Sequence, residues 1–157
     1  MKIKKCLGKL IAIDMYNCTA NYITAPATAQ ELLESSCQKH NLALVQTYIH
    51  QEDNSSEYIL TAICHQGHVA LHIYPELGFM AADIFSCYSE ADPAALARTL
   101  RTVFDADKSK ITLVDRGDFG SESDMKPKYG SKTTFIRRTK NLGGKLKKMI
   151  FLRNRSI

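Results

Sequence analysis

No stretch of the 157 residues approaches the roughly 18 consecutive apolar residues that a membrane-spanning helix needs, which excludes that class of protein. Nor does Met1-Lys2-Ile3-Lys4-Lys5 lead into a signal-peptide core with a cleavage site; it leads into a strand-like run, and a soluble, cytoplasmic protein is expected. The five cysteines (Cys6, Cys18, Cys37, Cys64 and Cys87) are odd in number, scattered and never spaced C-x-x-C. That spacing encodes neither a disulfide framework nor a zinc knuckle, so reduced thiols are expected. No internal repeat is obvious. What remains, 45% apolar and 24% charged, suits one globular domain large enough to bury its own core.

Charge is divided unevenly. Residues 1 to 116 carry 10 Lys and Arg against 13 Asp and Glu, whereas residues 117 to 157 carry 11 against 3. Gly117 to Ser131 is poor in apolar residues and rich in Gly, Ser and charge, the composition of a linker that cannot bury enough surface to order itself. A boundary therefore falls there, between a domain of residues 1–117 and a basic, flexible extension of residues 118–157. The extension suits a solvated or self-docked tail, or a contact with nucleic acid or another polyanion. Arg137-Arg138 and Lys147-Lys148 have Phe135 and Phe151 nearby, but no known nucleic-acid-binding motif encloses them.

In the body, Leu10 to Tyr16 reads as a buried strand. Thr28 and Glu31 have capping-box spacing, and Leu32, Leu33, Ser36, Cys37 and His40 share a face of a helix over 29–40. Strands follow at Leu42 to His50 and Tyr58 to Cys64, then at His68 to Tyr74 and Phe79 to Cys87, the second pair joined by Pro75-Glu76-Leu77-Gly78. Asp92-Pro93 starts a helix running to about residue 105, and Ile111 to Val114 forms a short last strand. Hairpins grouped between two helices predict an α+β fold: a two-layer α/β sandwich, mostly antiparallel, with two helices on one face of the sheet.

Three of the five histidines fall within Cys64 to His72. In a strand, His65 points away from His68 and His72, which lie about 13 Å apart at ~3.3 Å per residue, so one metal ion cannot take both and no metal site is expected. Alternation places Val69, Leu71 and Ile73 on the core face and His68, Ala70, His72 and Tyr74 on the other. A four-residue loop at Pro75–Gly78 sets Tyr74 opposite Phe79, His72 opposite Ala81, Ala70 opposite Asp83 and Gln66 opposite Cys87. One face then carries His68, His72, Asp83 and Cys87, a set suited to proton transfer; the same residues also fit a bland reading as surface histidines and a small buried thiol.

Two separated blocks, Gly8 to Cys18 and His68 to Cys87, resemble the bacterial S-adenosylmethionine decarboxylase family, with Arg116-Gly117 echoing a further Arg-Gly. The family's central block reads Glu-Ser-His, three residues, His-Thr-Trp-Pro-Glu, a Gly-Tyr-Ala-Ala strand and Asp-x-Phe-Thr-Cys, and the spacing here matches without a gap. The resemblance implies a two-layer sandwich, a homodimer with its sites at the subunit contact, and a place in spermidine synthesis. It implies that His72 stands at the histidine that assists self-processing and Cys87 at the cysteine proton donor. It also implies that Glu76 stands at the residue that holds the ribose hydroxyls and Tyr74 at the tryptophan. Tyr74, Glu76 and His68 are thus the expected ligand-binding residues.

The departures are chemical. The family's serine attacks the preceding carbonyl, and the ester then eliminates to leave a pyruvoyl cap whose ketone acts as electron sink. Gly67 occupies that position, with Gln66 before it in place of Glu, and glycine has neither nucleophile nor β-carbon. Cys64 is three residues away, on a strand, and is no substitute. The upstream Pro-x-Gly-x-Ser run and its adenine-stacking aromatic are replaced by the polar Gln51 to Ser56. No pyruvoyl cofactor is expected. The leading expectation is a homologue that does not mature, binding an S-adenosylmethionine-like or amine ligand or pairing with an active relative. The alternative is a decarboxylase that uses an unusual electrophile or a processed partner chain.

Overall fold

In a computed structural model that describes residues 7–117, six strands form one antiparallel sheet. The strands are β1 (Gly8–Tyr16), β2 (Leu44–Gln51), β3 (Tyr58–Cys64), β4 (Gly67–Tyr74), β5 (Phe79–Ser86) and β6 (Lys108–Arg116), and the helices are α1 (Ala20–Ile23), α2 (Pro26–Lys39) and α3 (Pro93–Val103). The spatial order is β2-β3-β4-β5-β1-β6, so β1 is inserted between β5 and β6 and the sequential hairpins occupy the other half of the sheet. The expected α+β sandwich is what forms. The basic extension of residues 118–157 lies outside the described residues. Among the described residues no helix is long and apolar enough to cross a membrane.

Alternation fixes the two faces of the sheet. Ile11, Ile13 and Met15 of β1, Leu60 and Ala62 of β3, Val69, Leu71 and Ile73 of β4, and Met80, Ala82 and Ile84 of β5 are buried under the helices. From α2 come Ala29, Leu33 and Cys37, and from α3 Leu96, Ala97 and Leu100, with Phe104 just beyond it. The fully buried side chains of this size contribute about 1.5–3 kcal/mol each relative to exposure. Cys37 and Cys64 meet within this layer, and the Cys37 thiol is pushed up by a hydrogen bond shared with Cys64 and by burial.

One helix start, one short helix and the last strand differ from the sequence reading. The capping-box pattern at Thr28 and Glu31 is not a cap: α2 begins at Pro26, whose fixed φ suits the first helical position, and Thr28 is already inside the helix. α1 was not foreseen; four residues are too few to show a period, and Ile23 alone is buried from it. The third helix starts as expected, with the Asp92 carboxylate accepting the Ala95 N–H at 2.9 Å and Pro93 in the first turn. The last strand is also longer than Ile111 to Val114, because it pairs with β1 along its whole length.

Candidate functional site

The face of the sheet away from the helices carries the candidate residues. β4 and β5 pair in the expected register, with Tyr74 opposite Phe79, His72 opposite Ala81, Ala70 opposite Asp83 and His68 opposite Phe85. The loop between them is a 3-10 turn over Pro75–Leu77 closed by Gly78 at φ +58°, a left-handed conformation that glycine adopts without steric penalty. Cys87 continues the ladder, its N–H donating to the Gln66 carbonyl at 2.8 Å. At the opposite end of β4, His65 and Gln66 form a two-residue turn between Cys64 and Gly67, with Gln66 at φ +61°.

The four groups expected on one face are on it, but they do not converge. His72 is six residues from Gln66, the neighbour of Cys87, which separates the two by about 20 Å along the strand at ~3.3 Å per residue. Asp83 sits between, diagonal to both His68 and His72 and exposed. The face therefore has two ends.

At the first end, His72 and Tyr74 line a hollow of about 210 Å³ with His50, Glu52 and Glu57. His50 is opposite Ile59, which is in turn opposite His72, so one row across three strands carries both imidazoles. Tyr74 and Tyr16 both pack against Phe79 with tilted rings, at centroid distances of 5.8 and 5.2 Å. Glu76 is exposed beside this end and accepts a hydrogen bond from Ser56 Oγ at 3.1 Å. His50 and Glu57 were missed in the sequence; the signal was the alternation of β2 and β3, usable only once the register of their hairpin is known.

At the second end, the half-buried Cys87 thiol borders a hollow of about 520 Å³ together with Lys9, Tyr88 and Glu90. The Phe85 ring lies beside it and packs against His68 at a centroid distance of 5.6 Å. Gly8 makes room for that ring: a β-carbon there would stand 2.9 Å from the Phe85 ring and 3.1 Å from Cys87 Sγ. Tyr88 donates to Glu90 at 3.2 Å, which pushes its phenol up. Among the described residues no group of three His, Cys, Asp or Glu side chains is arranged to hold a metal ion.

Gly67 sits at the head of β4, opposite Ser86. A β-carbon built on it would come closer than 3.0 Å to the Phe85 carbonyl oxygen, with Ser86 Cα at 3.2 Å and the Phe85 carbonyl carbon at 3.3 Å. All of these are backbone atoms, which no side-chain rotation can move. A residue with a β-carbon at this position, serine included, therefore requires the β4–β5 backbone to shift.

These features define a two-layer domain whose sheet face away from the helices carries His72 and Tyr74 at one end and Cys87 at the other. The family model described as S-adenosylmethionine decarboxylase matches residues 9–117, and the chain belongs to that family. It is 25% identical over 113 residues to the S-adenosylmethionine decarboxylase proenzyme of Thermomicrobium roseum, covering 72% of this chain and 96% of that one. To the proenzyme of the same name from Thermodesulfovibrio yellowstonii it is 23% identical over 121 residues, covering 77% and 89%. The crystal structure of the adenosylmethionine decarboxylase from Aquifex aeolicus shares the fold, with a TM-score of 0.66 at 20% sequence identity over 83% of this chain and all of the other.

Proposed function

We propose that this chain is an S-adenosylmethionine decarboxylase homologue that stays uncleaved and serves polyamine biosynthesis as a ligand-binding or regulatory subunit, not as a pyruvoyl enzyme. The observation that carries this reading is Gly67. Its lack of a hydroxyl removes the nucleophile of self-processing, and its close approach to the β5 backbone leaves no room for a β-carbon unless the backbone shifts. The same glycine lets β4 run unbroken from a tight turn into a fully paired strand.

The retained ligand frame supports binding. Tyr74 offers an aromatic face, and Glu76 offers a carboxylate held by Ser56. The ligand class is S-adenosylmethionine, its decarboxylated product or a related amine. The open face supports a subunit contact. A two-fold axis through its centre would lay the Cys87 end of one chain against the His72 and Glu76 end of another, completing a site that a lone chain leaves in two halves. The second subunit is another copy or a self-processing relative.

Calorimetric titration of the purified protein with S-adenosylmethionine and with its decarboxylated product tests this reading. Binding without carbon dioxide release supports it. Carbon dioxide release from labelled substrate that disappears in Cys87→Ala would instead support a decarboxylase working through another electrophile.

A further inference from the structure

Cys37 and Cys64 are brought together by the way the chain returns from α2 to the sheet. The last turn of the helix is closed by the Leu42 N–H, which donates to the Cys37 carbonyl at 3.0 Å. Two residues on, Leu44 enters β2 opposite Cys64, and the His65 N–H donates to the Ala43 carbonyl at 2.8 Å. A short path of backbone bonds therefore sets the end of α2 on the end of β3. Both side chains lie in the layer between helix and sheet, Cys37 with no exposure and Cys64 with 5%, and the two thiols hydrogen-bond each other there. The candidate ligand site uses neither.

The other cysteines of the described residues are placed apart from this pair. Cys18 is at the far end of β4, its N–H donating to the Gly78 carbonyl at 2.9 Å. Cys87 borders the hollow with Lys9 and Tyr88, on the face of the sheet away from the helices.

We propose that Cys37 and Cys64 are a redox-active dithiol, which a hydroperoxide converts to an internal disulfide joining α2 to β3. The surroundings divide the work between the two sulfurs. Cys64 ends β3 beside the exposed His65-Gln66 turn and is the only one of the pair with any exposure, so it is the sulfur that peroxide reaches first. It accepts the hydrogen bond from Cys37, which favours the Cys64 thiolate and keeps the Cys37 thiol protonated. The Cys64 thiolate attacks one peroxide oxygen, the O–O bond breaks, and the departing hydroxide takes up the proton that Cys64 released. Cys37 sulfur then displaces the hydroxyl of the Cys64 sulfenic acid: the S–S bond forms, the S–O bond breaks, and the hydroxyl leaves with the Cys37 proton as a second water. Two thiols are oxidised and one peroxide is reduced. Sulfurs that are already neighbours need little motion to reach the disulfide distance of about 2.05 Å. The bridge closes a loop over residues 38–63 that contains β2, and it restricts the unfolded chain, so oxidation raises the unfolding temperature.

Peroxide treatment of the full-length protein tests this. After an equimolar dose of hydrogen peroxide the chain is unfolded, alkylated and cleaved after glutamate, which puts Cys37 in fragment 35–52, Cys64 in 58–76 and Cys87 in 77–90. Fragments 35–52 and 58–76 are expected joined in most chains, two hydrogens lighter than their sum, and separated again by dithiothreitol. Peroxide added in urea should join them in no preference to the other cysteine fragments. In Cys37→Ser, which lacks the resolving thiol, dimedone should label 58–76 ahead of 77–90; the wild-type arm stands even if this variant folds poorly. Fragments 35–52 and 58–76 left unjoined in the folded wild type, the same selective pairing in urea, or dimedone on 77–90 and not on 58–76 would overturn the proposal.

Discussion

The Phe85 carbonyl oxygen occupies the space where a β-carbon on Gly67 would stand. The missing serine is thus more than an absent hydroxyl, because the β5 backbone leaves no room for a β-carbon at this position unless it shifts. Gly67→Ser is expected neither to restore cleavage nor to be tolerated quietly. Overpacking of this kind costs about 1–3 kcal/mol, and each kcal/mol lowers the Tm of a domain this size by roughly 4 °C. Thermal unfolding of Gly67→Ser and Gly67→Ala should show similar losses, with both chains at full mass. A cleaved Gly67→Ser protein would mean that the β4–β5 ladder yields readily.

Stability should fall on the alkaline side. Burial pushes the Cys18 thiol from 9.0 up to about 11 and the Tyr58 phenol from 10.0 up to about 12. Below the ordinary values both groups are protonated whether the chain is folded or not, and their burial carries no pH dependence. Between the ordinary and raised values only the unfolded chain loses the proton, so stability declines from about pH 9 to about pH 12. Urea midpoints across that range should shift downward, and Tyr58→Phe should flatten the upper part of the decline.

Tyr58→Phe should itself destabilise at neutral pH. The buried hydroxyl donates to the Ile23 carbonyl at 2.8 Å, tying α1 to β3. Leaving that carbonyl unsatisfied is expected to cost about 1–3 kcal/mol, read as a lower urea midpoint at unchanged slope. An unchanged midpoint would show that water replaces the phenol.

Removal of the α3 cap isolates a different interaction. Asp92→Ala should lose about 1 kcal/mol, since the Ala95 N–H loses its acceptor, while Asp92→Asn should retain most of the stability. Equal losses in the two variants would assign the effect to charge and not to capping.

If the ligand frame acts as proposed, Glu76→Gln should weaken S-adenosylmethionine binding about tenfold, equivalent to ~1.4 kcal/mol for one charge-assisted hydrogen bond. Calorimetry reads the change. Affinity equal to wild type would remove Glu76 from the site.

Much of this arrangement was legible in the residues. The Pro75–Gly78 loop fixed the β4–β5 register, because a four-residue turn leaves one pairing that keeps Val69, Leu71 and Ile73 in the core. Period and capping chemistry gave α3. The Thr28–Glu31 pattern misled, since a proline two residues earlier decides where α2 starts. The sequence reading grouped His72 with Cys87 by face without counting their separation along the strand, and the two hollows were not legible: His50 and Glu57 join His72 only through the β2–β3 pairing, and β2 carries a bulge that no local signal marks. The position of β1 between β5 and β6 is likewise a long-range choice, visible in no single segment.

The central claim is that Gly67 leaves the chain whole. Intact-mass spectrometry of the purified full-length protein, with and without a carbonyl-trapping hydrazine, tests it most directly. One species at 17.6 kDa with no hydrazone is the predicted result. Two fragments divided at Gln66 and Gly67, or a hydrazone on a new amino terminus, would contradict it.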